Sequence, residues 1–141
     1  MRFMMIQFPK VYETAIPGWV PDLKDMEKMG KYNEELGKAG VLFALDGLTP
    51  PSTMSARVKF KGGKSKVTDG PFTEAKEVVG GYWIMQVKSR EEALDWRSRI
   101  PVEDNVMVEV RRMFEVTDFD PETQKEIQTK FGDADAEMGQ R

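Results

Sequence analysis

The hydrophobic pattern changes period several times along the chain, and each change marks an element. Arg2 to Phe8 sets Phe3, Met4, Met5 and Ile6 side by side and stops at Pro9, as a strand buried on both faces would. Pro9 to Pro21 holds three prolines, Gly18 and two aromatics, Tyr12 and Trp19, and reads as a loop. After Asp22, a suitable N-cap, Leu23, Met26, Met29, Leu36 and Ala39 recur at helical spacings. Glu27/Lys31 and Glu34/Lys38 mark the solvent side of that helix, and Gly40 ends it. Val41 to Asp46 predicts a second strand, broken by Gly47-Leu48-Thr49-Pro50-Pro51. Ala56 to Phe60 and Lys64 to Thr68 flank Gly62-Gly63, the best short hairpin signal present. Asp69-Gly70-Pro71-Phe72 then predicts a turn, with Phe72 directed to the core.

Gly80 to Val87 carries the strongest strand character, in Tyr82, Trp83, Ile84, Met85 and Val87. Ser89-Arg90-Glu91-Glu92 is a capping-box sequence opening a helix with Ala93, Trp96 and Ile100 on one face, closed by Pro101. Val106 to Val116 predicts a last strand in which Val106, Val108 and Val110 alternate with Met107, Glu109 and Arg111. Asp120-Pro121 starts a short terminal helix with Ile127 and Phe131 on one face, and Asp133 to Arg141 reads as a frayed tail.

Strand, helix, strand, hairpin, strand, helix, strand is the order of an α+β, ferredoxin-like βαββαβ sheet with an inserted β-hairpin. Residues 1–116 form the expected domain, and residues 117–141 a C-terminal extension. The first and third core strands are apolar on both faces, whereas two helices on one side cover only one face of a four-stranded sheet. The uncovered face would exceed what a soluble monomer usually exposes, so a homodimer packed sheet to sheet is expected.

Composition narrows the chemistry. The chain of 141 residues has a formal charge of −3, no cysteine and no histidine. Ser-His and Cys-His nucleophiles, zinc held by His or Cys and proximal-His haem are thereby excluded. No cofactor and no metal is expected, and the ten methionines read as packing. Mixed charges without a Lys/Arg block argue against direct nucleic-acid binding, and no apolar run is long enough for a membrane span. A cytoplasmic location fits the lack of cysteine.

Asp69 is the tentative catalytic residue. A turn aspartate commonly bonds its own backbone, and a carboxylate at the mouth of a cavity can act as a general base. Glu74 and Lys76, beside Glu77, are either a solvated charge run or a ligand-orienting ion pair. Tyr82 and Trp83 point to opposite faces of one strand, as core packing or as an aromatic wall for a ligand. Arg57 and Arg111 lie on strands and could hold a carboxylate, Arg57 being the ligand-binding candidate. Asp46 stands at a strand end, as turn or site.

Val67-Thr68-Asp69-Gly70-Pro71-Phe72-Thr73-Glu74-Ala75-Lys76-Glu77, continuing to Gly80-Gly81-Tyr82, resembles the signature of the DGPF branch of the YCII-related family. Glu35-Leu36 with Ala39-Gly40-Val41-Leu42, Gly47-Leu48, Glu92-Ala93 with Trp96, and Val108-Glu109-Val110-Arg111 fit the same resemblance, which spans roughly Met1 to Glu115. It implies a dimeric α+β barrel. It implies much less about activity, and beside a purely structural dimer two functional classes stand. One is a small-molecule-binding or cofactor-independent catalytic barrel using a loop carboxylate. The other is a non-catalytic accessory module with a regulatory protein partner of sigma-factor type. Relatives in the wider family resemble enzymes built on a His-Asp pair, a mechanism this histidine-free chain cannot use.

Overall fold

A computed structural model describes residues 1–70, 72 and 77–132. Glu74 and Lys76, Pro71 of the expected turn and the expected tail Asp133–Arg141 lie outside the described residues. The elements run β1 (Arg2–Phe8), α1 (Leu23–Lys38), β2 (Leu42–Gly47), β3 (Ala56–Lys61), β4 (Lys64–Asp69), β5 (Gly81–Gln86), α2 (Arg90–Ser98), β6 (Met107–Arg112) and α3 (Pro121–Phe131). Four strands make one sheet in the order β2-β5-β1-β6, every neighbour antiparallel, while β3 and β4 pair only with each other. This is the ferredoxin-like α+β arrangement with a hairpin inserted between β2 and β5.

Side-chain alternation divides the sheet into two unlike faces. Phe3 and Met5 of β1 stand opposite Met85 and Trp83 of β5, and all four are buried. They meet Tyr32 and Leu36 of α1 and Ala93 and Trp96 of α2 in one core. The Tyr32 hydroxyl donates to the Trp96 carbonyl at 2.8 Å and ties the two helices together. The Trp83 indole N–H donates to Asn33 Oδ1 at 2.8 Å, so the indole nitrogen is satisfied on the helix side. Trp83 therefore faces the helices and Tyr82 the other way. On that second face, registry sets Asp46, Tyr82, Ile6 and Glu109 in one row and Ala44, Ile84, Met4 and Arg111 in the next. No helix of the described chain packs along it.

The helix starts follow their capping residues. Asp22 accepts from the Lys24 amide at 3.0 Å, Ser89 Oγ from the Glu92 amide at 3.1 Å, and Asp120 from the Thr123 amide at 3.0 Å. Glu92 turns back to the Lys88 amide at 2.8 Å, one residue earlier than a capping box requires.

Two expectations are corrected. The last strand stops at Arg112 instead of reaching Val116. Its partner β1 begins at Arg2, so the ladder ends with the Met113 amide donating to the Arg2 carbonyl at 2.9 Å. The chain then forms a 3-10 turn at Val116–Asp118, whose Glu115 carboxylate accepts from the Arg2 amide at 3.2 Å. Phe72 does not join the core. It lies half-buried beneath the Arg57 guanidinium, 3.9 Å from the ring centroid, because it follows a hairpin that stands apart from the sheet.

Candidate functional site

The candidate residues named from the sequence do not converge. Asp69 is exposed at the end of β4, opposite Ala56, and Arg57 is exposed on β3 with its guanidinium over Phe72. The turn after Asp69 is held by the Gly70 amide donating to the Ser55 carbonyl at 2.8 Å. A Cβ at Gly70 would collide with the Pro51 carbonyl, so glycine is required there by close approach. Tyr82 is half-buried on the uncovered face, and Trp83 is buried in the core with a T-shaped contact to Tyr32 at 6.1 Å. Arg111 is exposed beside Met4 on the uncovered face.

A cavity forms elsewhere, from residues the sequence marks only as loop. Between Pro9 and Pro21 the chain makes a 3-10 turn at Lys10–Glu13 and a second turn closed by the Trp19 amide donating to the Ile16 carbonyl at 3.1 Å. Gly18, with φ of 80°, occupies the left-handed region this second turn needs. Together the turns bring Tyr12 edge-on to Trp19, with ring centroids 5.4 Å apart. Two bonds pin this aromatic flap to the opposite loop: the Tyr12 hydroxyl donates to the Leu48 carbonyl at 2.6 Å, and the Gly18 amide to Thr53 Oγ1 at 3.2 Å. Burial pushes the Tyr12 hydroxyl above its ordinary pKa.

Beneath the flap is a cavity of about 410 Å³. Its floor is the end of the sheet at Gln7, Gly47 and Gly80, and its sides are Met26 and Met29 of α1 and the Pro101–Val106 connection. Gly80 is needed here too, since a Cβ would strike the Pro9 ring. The volume falls in the range of small-molecule sites, roughly 300–1,000 Å³. Its polar side chains are Gln7, Lys10, Asp25 and Glu103, with the Tyr12 hydroxyl and the Trp19 indole N–H of the flap. Lys10 is exposed and 3.9 Å from Glu13, so it stays at the rim beside two carboxylates, the Gln7 amide and the Trp19 indole N–H. The arrangement can take an apolar, flat body, with hydrogen-bond acceptors for a donor or cationic group. The signal in the sequence was the pair of aromatics in a proline-punctuated loop, and nothing in its spacing shows that the two rings meet.

A second, more open cleft of about 800 Å³ runs along Arg2, Phe43, Gln86, Arg112 and the Phe114–Asp118 segment. Its charges are spent on one another. Arg112 donates to both Asp118 oxygens at 3.0 and 2.8 Å, which holds the Asp118 carboxyl below its usual range, and Arg2 lies 3.5 Å from Glu115. Asp69 lines neither space. Among the described residues no group of three or more Asp or Glu side chains could hold a metal ion, and no helix is long and apolar enough to cross a membrane.

The profile of the YCII-related domain matches residues 1–117. The chain is also similar to an uncharacterized protein of Rhizobium meliloti (strain 1021), 32% identical over 74 residues, or 52% of this chain and 56% of that protein. The match therefore spans little more than half the length of that curated relative.

Proposed function

This chain belongs to the YCII-related family, and from that premise we propose that it is a small-molecule-binding domain whose ligand lies beneath the Tyr12–Trp19 flap. The observation that carries the reading is the cavity itself, largely apolar in its walls, beneath two rings on a flap that Tyr12 and Gly18 bond to the loop opposite. Asp25 and Glu103 on its rim favour a neutral or cationic ligand with a donor group, such as a small aromatic amine or alcohol. The flap residues hold the ligand by stacking and exclusion of water. The exposed Asp69 takes no part in this reading.

The functional unit is a homodimer. Support comes from the row Tyr82 and Ile6 and the row Ile84 and Met4, an apolar surface that no helix covers. Sedimentation at micromolar concentration should give twice the chain mass, and a monomer there would overturn the dimer.

The test of the ligand site is a thermal-shift screen of small aromatic amines, alcohols and acids, run on the wild type, Trp19→Ala and Tyr12→Phe. Amines and alcohols should stabilise the wild type more than acids do, and Trp19→Ala should abolish the response. Tyr12→Phe, which keeps the ring but loses the bond to Leu48, should weaken it. A response equal in Trp19→Ala and wild type would remove the ligand from this cavity.

A further inference from the structure

The β3–β4 hairpin has two faces that its sequence conceals, because residues facing each other across an antiparallel pair lie far apart along the chain. Registry puts Val58 opposite Val67 and Phe60 opposite Ser65 on one side. Arg57, Lys59, Lys61, Lys64 and Lys66 all fall on the other, with Lys59 opposite Lys66 and Lys61 opposite Lys64. Both faces are exposed, apart from Phe72 beneath the Arg57 guanidinium. Val58, Phe60 and Val67 are 48, 79 and 61% exposed, and no other helix or strand of the described chain packs along the hairpin.

A two-stranded ribbon alone in water is marginal. Like charges directly opposite one another destabilise it further. Among the described residues none of these five cations is in an ion pair. Such an element needs a surface that buries its apolar side and supplies carboxylates.

The charge balance points to the source of that surface. Residues 56–69 carry five cations and one carboxylate, a net +4, while the whole chain carries −3, so the remainder of the chain stands at −7. Acidic groups also flank the face where a second copy would sit, with Asp46 on β2 and Glu109 on β6 at either end of the Tyr82–Ile6 row. The hairpin leaves the sheet after Gly47, the residue following Asp46, and the chain returns at Gly81, next to Tyr82.

We infer that the β3–β4 hairpin is a clasp that docks on a second copy of this chain. It lays Val58, Phe60 and Val67 against the partner and reaches the partner's carboxylates with its lysines. The inference rests on the homodimer proposed above and adds to it a specific element that holds the two chains.

Two measurements test it, on the full chain. Carbodiimide couples a lysine amine to a carboxylate only at direct contact. In dimers mixed from 14N- and 15N-labelled chains, hairpin lysines should therefore appear in cross-links joining light to heavy peptides. Cross-links of these lysines confined to one isotope, or none at all, would overturn the clasp. The second measurement is the dimer dissociation constant of Phe60→Ser/Val67→Ser and of Lys59→Glu/Lys66→Glu. Each pair should raise it about tenfold or more, equivalent to a loss of about 1.4 kcal/mol.

The hairpin lies outside the core, so circular dichroism should show both variants folded. A wild-type dimer whose dissociation constant neither pair moves would overturn the clasp and leave the dimer standing. A wild-type monomer would overturn both. Wild-type binding to a labelled oligonucleotide that Lys59→Glu/Lys66→Glu abolishes, with dimer affinity unchanged, would reassign the basic face to a polyanion and also overturn it.

Discussion

At the scale of single residues, the helix-side core carries the stability, and its polar atoms are as specific as its apolar ones. Leu36 is fully buried between α1 and the sheet. Leu36→Ala should cost about 2–5 kcal/mol, the span reflecting how far the walls relax into the cavity. A loss below about 1 kcal/mol in urea unfolding would mean that α1 packs more loosely than the geometry shows. Tyr32→Phe should cost less, about 0.5–1.5 kcal/mol, by removing one of the two donors to the Trp96 carbonyl, the other being the Arg99 amide at 3.2 Å. Asp69 gives the contrasting case. It is exposed and its turn is closed by backbone groups, so Asp69→Asn should leave any ligand-induced thermal shift unchanged. A lost shift would bring Asp69 back as the functional carboxylate.

What the sequence made legible at this scale was mainly identity and alternation. That Tyr82 and Trp83 face opposite ways follows from strand geometry alone. Which of them meets the helices shows only in the fold, where Asn33, 50 positions away, accepts the indole proton. The flap was hidden for a similar reason. Tyr12 and Trp19 meet only because two successive tight turns reverse the chain between them, and a loop pattern does not carry that path.

At the scale of elements, local signals worked where local forces decide. β1 occupies the residues its apolar run and Pro9 delimit, and α1, α2 and α3 start at their capping residues. β6 failed at its end because strand length is fixed by the partner. No property of Phe114 or Glu115 shows that β1 has already run out at Arg2. The hairpin's basic face was invisible for the related reason that alternation dilutes its cations with Val58, Phe60 and Val67 along the chain.

The segment after β6 should be acid-sensitive. Asp118 is held below the usual carboxylate range by its bond from Arg112, and Asp120 by the Thr123 hydroxyl and backbone amide. A depressed pKa in the folded state stabilises fully above the ordinary value, about 4, and is lost as pH falls through the lowered one. Amide exchange at residues 113–131, corrected for its intrinsic pH dependence, should therefore rise relative to the core strands below about pH 4. Protection as strong at pH 3 as at pH 6 would show that these carboxylates contribute nothing to docking the segment.

At the scale of the whole molecule, the fold sorts three surfaces to three places. The helix side is filled by the core, the opposite sheet face is left apolar, and the cavity sits at one end of the sheet, where the flap meets the α2–β6 connection. The βαββαβ order was readable because each element had its own signature. The cavity was not, because it is made of ends: the last turn of a loop, the first turns of a helix and three glycine or glutamine positions at strand termini. The proposed ligand site stands or falls on that cavity. Its most direct test is a titration of 15N-labelled protein with the best stabilising compound, followed by amide and indole resonances. Shifts should gather at Gln7, Tyr12, Trp19, Met26, Met29 and Val106, with the Trp19 indole moving and the Asn33-bonded Trp83 indole still. Shifts gathered instead around Arg57, Asp69 and Phe72, with Trp19 unmoved, would contradict it.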